Sequence, residues 1–377
     1  MKSSIISFTW IMESNLDKRI PVSGYRCLVA TSLLLLALLP CAIAADGPTA
    51  RAYHSPEERR EAGVGHALTD WLTLSGLAEV EHDYSGNTLT DGHQLRGHSE
   101  ASQVIQLGLE AEISEYLTAK AVYEYEFDQN HGRADEVLLE YEKESWSLSL
   151  GREYLNFGEY FSHFAIDPLL QFGETRADAL TVGYQVSSHL EVSGFVFDGD
   201  ATSPGNAHSS RDYGVGLEVT SDEEALALGL GYLSDLAESD EAFLLESGHQ
   251  HDRQVAALNA YLLFTMPHHE ITAELIMALD AFAELEADID KPVAWNLELA
   301  WMPVSRWQLA FRVEGSRELE DKPESQYGLS SSWLLGKHLY MSIEYLYGRY
   351  KTGFATDDDD NDLESRQSAM ALVSLEF

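Results

Sequence analysis

Acidic side chains recur at every second position of several short segments, and their chemistry is the attraction of cations. In segments such as Gln103–Ser114 and Leu117–Asp128 glutamates alternate with apolar residues, so that each segment has an apolar face and an acidic face. A row of carboxylates along a water-filled passage favours cations over anions. Taken singly, each acid is also explained as a solvated surface residue. The residues expected to line a passage are Glu110, Lys120, Glu124, Glu140, Glu274, Glu298, Arg312 and Glu344.

A run of aspartates near the C-terminus offers a second kind of cation chemistry. Its members are Asp357, Asp358, Asp359, Asp360 and Asp362. Carboxylate oxygens are ligands that divalent cations accept, but the run lacks the glycine and the ligand spacing of a calcium-binding loop. A solvated acidic loop is the favoured interpretation, and neither a metal site nor a cofactor is predicted.

Histidines placed near acids raise the alternative of hydrolysis of lipid or peptide. His163 and Asp167 share one segment, and His82 and His131 lie at the ends of others. No serine nucleophile with a recognisable turn and no repeated acid–histidine spacing accompanies them. The sequence therefore favours a protein that is not an enzyme.

The elements that carry these residues are expected to be β-strands. Most alternating segments are about eight to thirteen residues long, close to the nine to eleven that a tilted strand needs to cross a bilayer. The last one alternates cleanly and ends on Phe377, as strands read by the outer-membrane barrel-assembly machinery do. Sixteen segments begin near residues 72, 102, 117, 135, 145, 179, 190, 213, 225, 254, 269, 292, 307, 325, 339 and 368.

Short and long connections alternate between these segments. Tight turns are expected at 115–116, 143–144, 186–189, 221–224, 266–268, 303–306 and 336–338. Longer loops are expected at 83–101, 129–134, 153–178, 198–212, 235–253, 280–291, 317–324 and 349–367. This asymmetry is typical of periplasmic turns and extracellular loops. The sequence therefore predicts an all-β fold, a transmembrane antiparallel up-and-down barrel of about sixteen strands.

The third long loop is too apolar for a solvated surface segment. Phe157, Phe161, Phe164, Leu170 and Phe172 all fall within it. Since sixteen strands enclose a channel that side chains alone cannot fill, we expect this loop to fold into the barrel and narrow it. A packed surface cap without a role in selectivity is the alternative. In the inward arrangement the residues projecting into the constriction are Glu159, Asp167, Glu174 and Arg176.

The N-terminus has the features of a secretory signal peptide. Lys18, Arg19 and Arg26 precede an apolar run from Leu28 to Leu39, and Ala42-Ile43-Ala44 matches a signal-peptidase site. The predicted division is a signal peptide at 1–44, a short periplasmic segment at 45–70 and the barrel at 71–377, with translation starting at Met1 or Met12. Both cysteines lie in the signal, which excludes thiol chemistry from the mature chain. The formal charge of -39 disfavours nucleic acid as a partner.

The third loop and the strand entering it resemble the LbtU-type siderophore porin family of Gram-negative bacteria. The resemblance covers about thirty residues and rests on Gly151-Arg152, Tyr154, Phe157-Gly158, Asp167-Pro168-Leu169 and Gly173-Glu174-Thr175-Arg176. It implies a sixteen-stranded outer-membrane barrel without a plug domain, associated with uptake of ferric siderophores. Since only Ala45–Thr69 separate the predicted signal from the first predicted strand, the longer N-terminal segment that members often carry is not expected here. The constriction or binding residues expected from pattern and resemblance together are Arg152, Tyr154, Glu159, Tyr160, His163, Asp167, Glu174 and Arg176.

Together these features predict an outer-membrane channel for small solutes with a cation-preferring lumen. A ferric chelate is the solute that the resemblance implies, and a general cation-selective diffusion porin is the alternative. The expected partners are outer-membrane lipid and lipopolysaccharide, the barrel-assembly machinery, and the solute itself. The sequence leaves a trimer and a monomer equally open.

Overall fold

The computed structural model describes residues 65–95, 97–198, 211–221, 225–239, 253–286, 289–356 and 361–377. These residues form seventeen β-strands and two short 3-10 helices, Leu169–Gly173 and Leu236–Glu238. The strands are β1 (His66–Thr69), β2 (Leu72–Leu89), β3 (His98–Ser114), β4 (Leu117–Glu126), β5 (His131–Lys143), β6 (Trp146–Tyr154), β7 (Arg176–Ser187), β8 (Leu190–Asp198), β9 (Arg211–Thr220), β10 (Leu226–Leu233), β11 (Ala257–Met266), β12 (His269–Ala278), β13 (Val293–Val304), β14 (Trp307–Arg317), β15 (Ser325–Leu334), β16 (Leu339–Arg349) and β17 (Leu363–Glu376).

Sixteen of the strands, β2 to β17, close into an antiparallel barrel. Each strand pairs with its neighbour in the chain, and β17 pairs with β2 from Leu363↔Leu89 to Glu376↔Leu77. Phe377 and Gly76 extend this seam by exchanging backbone hydrogen bonds of 2.7 and 2.9 Å. The short β1 pairs with the start of β2, beyond the point where β17 ends. The predicted all-β barrel of about sixteen strands is therefore confirmed.

Period-two alternation decides which side chains face outward. In β17, Val373 and Leu375 are 40% and 48% exposed on the outer surface, whereas Ser374 and Glu376 between them are buried inside. Exposed aromatic residues sit next to short turns, including Trp146, whose ring lies 4.6 Å from that of Tyr184. An apolar band with aromatic residues at its edge is the outer surface that a bilayer requires.

Several strands are longer than the sequence patterns indicated. β2 continues to Leu89 and β3 begins at His98, so the predicted loop 83–101 shrinks to residues 90–97. The last strand begins at Leu363 instead of residue 368. The polar residues at these ends show no apolar alternation, but backbone pairing between β17, β2 and β3 continues through them. Hydrogen bonding extends a strand past the length that its apolar face reveals.

No helix among the described residues is long and apolar enough to cross a membrane. The predicted signal peptide, its cleavage site and both possible start codons lie outside the described residues, as do Asp357, Asp358, Asp359 and Asp360. Within the predicted segment 45–70, the described part contains β1, which the sequence patterns did not indicate.

Candidate functional site

The connection between β6 and β7, residues 155–175, is here called the inner loop, and it packs against the inside of the barrel. Its 3-10 helix contacts β12, β13 and β14. Leu170 and Phe172 of the loop are 0% and 1% exposed and share one apolar cluster with Ile276 of β12 and Ala294 of β13. Burial of these side chains supplies the free energy that turns the loop inward. The predicted inward-folded third loop is therefore confirmed.

Earlier in the inner loop, a second set of apolar contacts reaches β13 to β17. Phe164 packs on inward alanines of β13 and β14, and Ile166 lies against Tyr340 and Met370. Several inward positions beneath the loop are therefore small or apolar. The inward face is not uniformly polar, because part of it is an interior and not a water-filled surface.

Four inward glutamates hold the backbone of the inner loop. They come from β12, β13, β14 and β16 and are all largely buried. The bonds, each between 2.7 and 3.0 Å, run from Glu159 N and Tyr160 N to Glu274, from His163 N to Glu298, from Ala165 N and Ile166 N to Glu344, and from Leu169 N to Glu314. Ionised carboxylates accept such bonds strongly, and the loop has no regular partner strand to satisfy these N–H groups.

Arg312 of β14 is the cation at the centre of this arrangement. Its side chain is 0% exposed and its Nε lies 2.7 Å from Glu298, while Nη1 lies 3.4 Å from Glu314. Nη1 also donates to the carbonyl oxygen of Asp167 at 3.3 Å, and Nη2 donates to the Ser162 hydroxyl. The guanidinium therefore neutralises buried carboxylates and ties two points of the inner loop to the wall.

The residues predicted to form a constriction fall into two groups, of which the first lies along the loop. Glu159 and Asp167 have exposed side chains, and Glu174 is partly exposed with a bond of 2.6 Å from Gln171. Burial raises the pKa of the Tyr160 phenol well above its usual range, and Glu274 and Glu174 nearby add to that shift. His163 is buried, with Nε2 3.3 Å from Glu270 and Nδ1 3.0 Å from Gln308.

The second group lies at the two ends of the loop, where β6 and β7 pair. Arg176 is buried and pairs with Asp135, which also accepts from the Tyr154 hydroxyl at 3.2 Å. Arg152 pairs with Asp178, two residues along each strand from the outward-facing Leu150–Leu180 pair. Arg152 is thus on the outer face, away from the lumen. Strand alternation places this side chain on the outer face, whereas its prediction as a constriction residue did not take alternation into account.

The inward face of β2–β5, called the open wall, carries the remaining predicted lining residues. Lys120 lies 2.9 Å from Glu140, and Arg133 lies 2.8 Å from Glu124. Glu110 is 5% exposed and stands opposite Lys120 in register. By contrast, Glu274, Glu298, Arg312 and Glu344 lie under the inner loop. The lining set is therefore split between two environments.

Other residues that build this region were not singled out from the sequence. Asp135 and Glu270 make the contacts given above, and Asn259 donates a hydrogen bond of 2.7 Å to Glu274. Glu270 and Glu274 share one face of β12 at a spacing of four, a strand signal that was available. Asp135 sits at a register shift between β4 and β5, which no local pattern reveals.

Among the described residues, no group of three or more His, Asp, Glu or Cys side chains could hold a metal ion. The described member of the aspartate run, Asp362, forms an isolated bridge with Thr356.

Solved structures with the same fold are bacterial outer-membrane channels. The channel DcaP of Acinetobacter baumannii matches with a TM-score of 0.56 at 14% identity, over 81% of this chain and 97% of that chain. OmpF of Salmonella typhi, in complex with daunomycin, matches with 0.59 at 11%, over 83% and 100%. An anion-selective porin from Comamonas acidovorans matches with 0.58 at 12%, over 81% and 99%.

Neither a protein-family model nor a curated protein matches the chain. The three structures are porins or channels and none is an enzyme. At these identities they establish that the chain has a porin fold. The resemblance to the LbtU-type family stays a prediction.

Proposed function

We propose that this protein is an outer-membrane channel through which small hydrophilic solutes diffuse, with a preference for cations. The observation that carries the proposal is a closed sixteen-stranded barrel whose open wall carries partly exposed inward glutamates. A barrel of this size leaves an aqueous lumen, and the apolar outer band suits lipid. Outer-membrane lipid and lipopolysaccharide would surround it, and its C-terminal strand ending in Phe377 would be read by the barrel-assembly machinery.

The charges on the open wall support the cation preference. Two basic groups there, Lys120 and Arg133, are each paired with a glutamate. The inward glutamates that are partly exposed on this wall include Glu79, Glu81, Glu126, Glu136 and Glu140. A narrow lumen with low-dielectric walls concentrates the field of such groups, so that counter-ions of the opposite sign are enriched.

The fold by itself does not decide the sign of the preference, since an anion-selective porin shares it. What differs between barrels of one fold is the set of side chains that face water. The proposal therefore depends on the wall residues named above and is tested by changing them.

The test is the reversal potential of the purified full chain in a planar bilayer under a salt gradient. We expect a potential of the sign given by cation preference, and we expect Glu81→Gln/Glu126→Gln/Glu140→Gln to reduce it. The matched control removes three exposed loop glutamates, Glu286→Gln/Glu320→Gln/Glu324→Gln, and should shift it much less. Anion preference in the unmodified protein would overturn the proposal.

Ferric-siderophore uptake is a second candidate, favoured by the sequence resemblance around Asp167-Pro168-Leu169. The acidic wall suits a cationic or neutral chelate better than an anionic one. Liposomes containing the protein should admit a cationic ferric chelate faster than an anionic chelate of equal size. Equal rates for both would remove the electrostatic support for this candidate and leave a general diffusion channel.

A further inference from the structure

The glutamates beneath the inner loop accept hydrogen bonds from the loop backbone, unlike glutamates that line a water-filled passage. Glu274 receives two successive backbone N–H groups of the loop, one on each carboxylate oxygen, at 2.9 and 2.8 Å. Glu344 does the same at 2.7 and 3.0 Å with the N–H groups of Ala165 and Ile166. Glu298 accepts the N–H of His163 on one oxygen. These contacts hold the loop through its backbone, and the side chains of Glu159 and Asp167 remain exposed.

We propose that Glu274, Glu298 and Glu344 are positioning residues, whose ionised carboxylates hold the apex of the inner loop (residues 158–167) against the wall. In this way they set the width of the passage. The inference rests on the proposed channel function and adds to it how the loop is kept in place and what would release it.

Ionisation matters because both carboxylate oxygens must accept. A protonated carboxyl group turns one oxygen into a donor, which then faces a backbone N–H donor. A glutamine side chain has the same shape and presents the same mismatch through its amide nitrogen. A buried N–H that loses its acceptor destabilises the contact, so the apex is expected to leave the wall when two such sites fail together.

Other charged groups around these carboxylates modulate the effect of pH. They are Glu159, His163 and Glu174 of the loop, Glu270 of β12, Arg312 and Glu314 of β14, and Glu79 of β2. Arg312 favours ionised Glu298 and Glu344. Protonation of His163 would strengthen its contact with Glu270, opposing release. Acidification therefore acts in two directions, and substitution at neutral pH is the cleaner test.

The rest of the inner loop should stay in place when the apex moves. Phe157, Leu170 and Phe172 on either side of the apex are at most 1% exposed in the apolar cluster. The expected change is thus a local widening and not the loss of the barrel, which circular dichroism of the variant would verify.

The variant is Glu274→Gln/Glu344→Gln, in the full chain. Its matched control is Glu112→Gln/Glu142→Gln, which removes two exposed glutamates from the inward face of β3 and β5. The first measurement is hydrogen exchange at pH 7 of the peptide covering residues 158–167. The second is single-channel conductance at pH 7 and at acid pH.

We expect faster exchange of the apex in the loop variant only. We also expect about a twofold higher conductance at pH 7, because a sixteen-stranded barrel without an inward loop is a wide channel. The loop variant should respond less to acid than the unmodified protein. Unchanged apex exchange overturns the inference whether or not the protein conducts. Faster exchange in a protein that conducts no ions supports the positioning role and overturns the channel function instead.

Discussion

On β12–β16 the inward glutamates lie under the inner loop, whereas on β2–β5 the same residue type at the same kind of position is mostly partly exposed. The first set accepts backbone N–H groups and surrounds a buried arginine. In the second set Glu140 pairs with Lys120 and Glu124 pairs with Arg133. One region, here called the covered wall (inward face of β12–β16), behaves as a protein interior. The open wall behaves as a channel surface.

This difference separates two uses of one side chain. Beneath the loop a carboxylate is valuable as a hydrogen-bond acceptor, since its partners have no other acceptor in a dry environment. On the open wall a carboxylate is valuable as a charge, since water already satisfies its hydrogen bonds. Substitutions that are chemically alike should therefore have unlike consequences on the two walls.

The largest contrast in unfolding free energy is expected between substitution of Arg312 on the covered wall and of Lys120 on the open wall. Arg312→Met leaves Glu298 and Glu314 buried without a counter-charge, and we expect a loss of about 3–5 kcal/mol in unfolding free energy. Lys120→Met removes a partly exposed pair and should cost no more than about 1 kcal/mol. Denaturant unfolding of both variants in the same micelles measures the difference. Equal losses would mean that the two walls do not differ as described.

The next contrast is between a leucine buried beneath the inner loop and a leucine on the outer face of the barrel. Leu170→Ala empties a site that is 0% exposed between the inner loop and the covered wall, with an expected loss of about 3 kcal/mol. Leu150→Ala, on the outer face at 56% exposure, should cost much less, because lipid can fill the space. The same unfolding measurement applies. A larger loss for Leu150→Ala would contradict the packing of the loop.

A smaller effect is expected where the loop approaches a strand closely. A Cβ at Gly231 of β10 would lie 1.8 Å from the Phe157 carbonyl oxygen, whereas at Gly194 of β8 the nearest atom would be 3.9 Å away. Gly231→Ala must displace the loop backbone and should cost about 1–3 kcal/mol. Gly194→Ala should be tolerated. Thermal denaturation ranks the pair, and tolerance of Gly231→Ala would show that the loop is not closely seated.

The smallest effect is expected at an exposed ion pair outside the barrel interior. The N–H of Ala281 and the Arg253 guanidinium, 3.0 Å away, lower the pKa of Asp280 below its usual value. A lowered folded-state pKa means that the contribution is present above the unfolded pKa and is lost as pH falls through the folded one. Because the side chain is largely exposed, Asp280→Asn should barely change the unfolding midpoint at pH 7 or pH 3. A large change would argue that charge pairing alone, without burial, stabilises this protein.

Much of the fold was predictable because alternation and loop length are local properties. The starts expected at residues 117, 190, 269, 307, 325 and 339 coincide with observed strand starts. The inward turn of the third loop was also predictable, since aromatic residues such as Phe157 and Phe172 need a surface to bury against. Strand ends at Leu89 and His98 were not, because backbone pairing there continues without an apolar face.

The candidate site was less accessible from the sequence. Glu274 and Glu344 were identifiable as inward residues from their alternation with Leu275 and Ile343. Their partners were not, since the donors are backbone N–H groups of a loop more than one hundred residues away. No side-chain pattern encodes a contact that any residue at those loop positions would make.

The amino-acid sequence by itself determined a closed barrel with an apolar outside, an acidic inside and one loop that must fold inward. Each of these follows from period-two alternation or from local composition. Only the tertiary structure decided which acids meet water and which hold the loop. That distinction depends on where a 21-residue segment, 155–175, comes to rest against distant strands, and burial is a property of position in space and not of residue type.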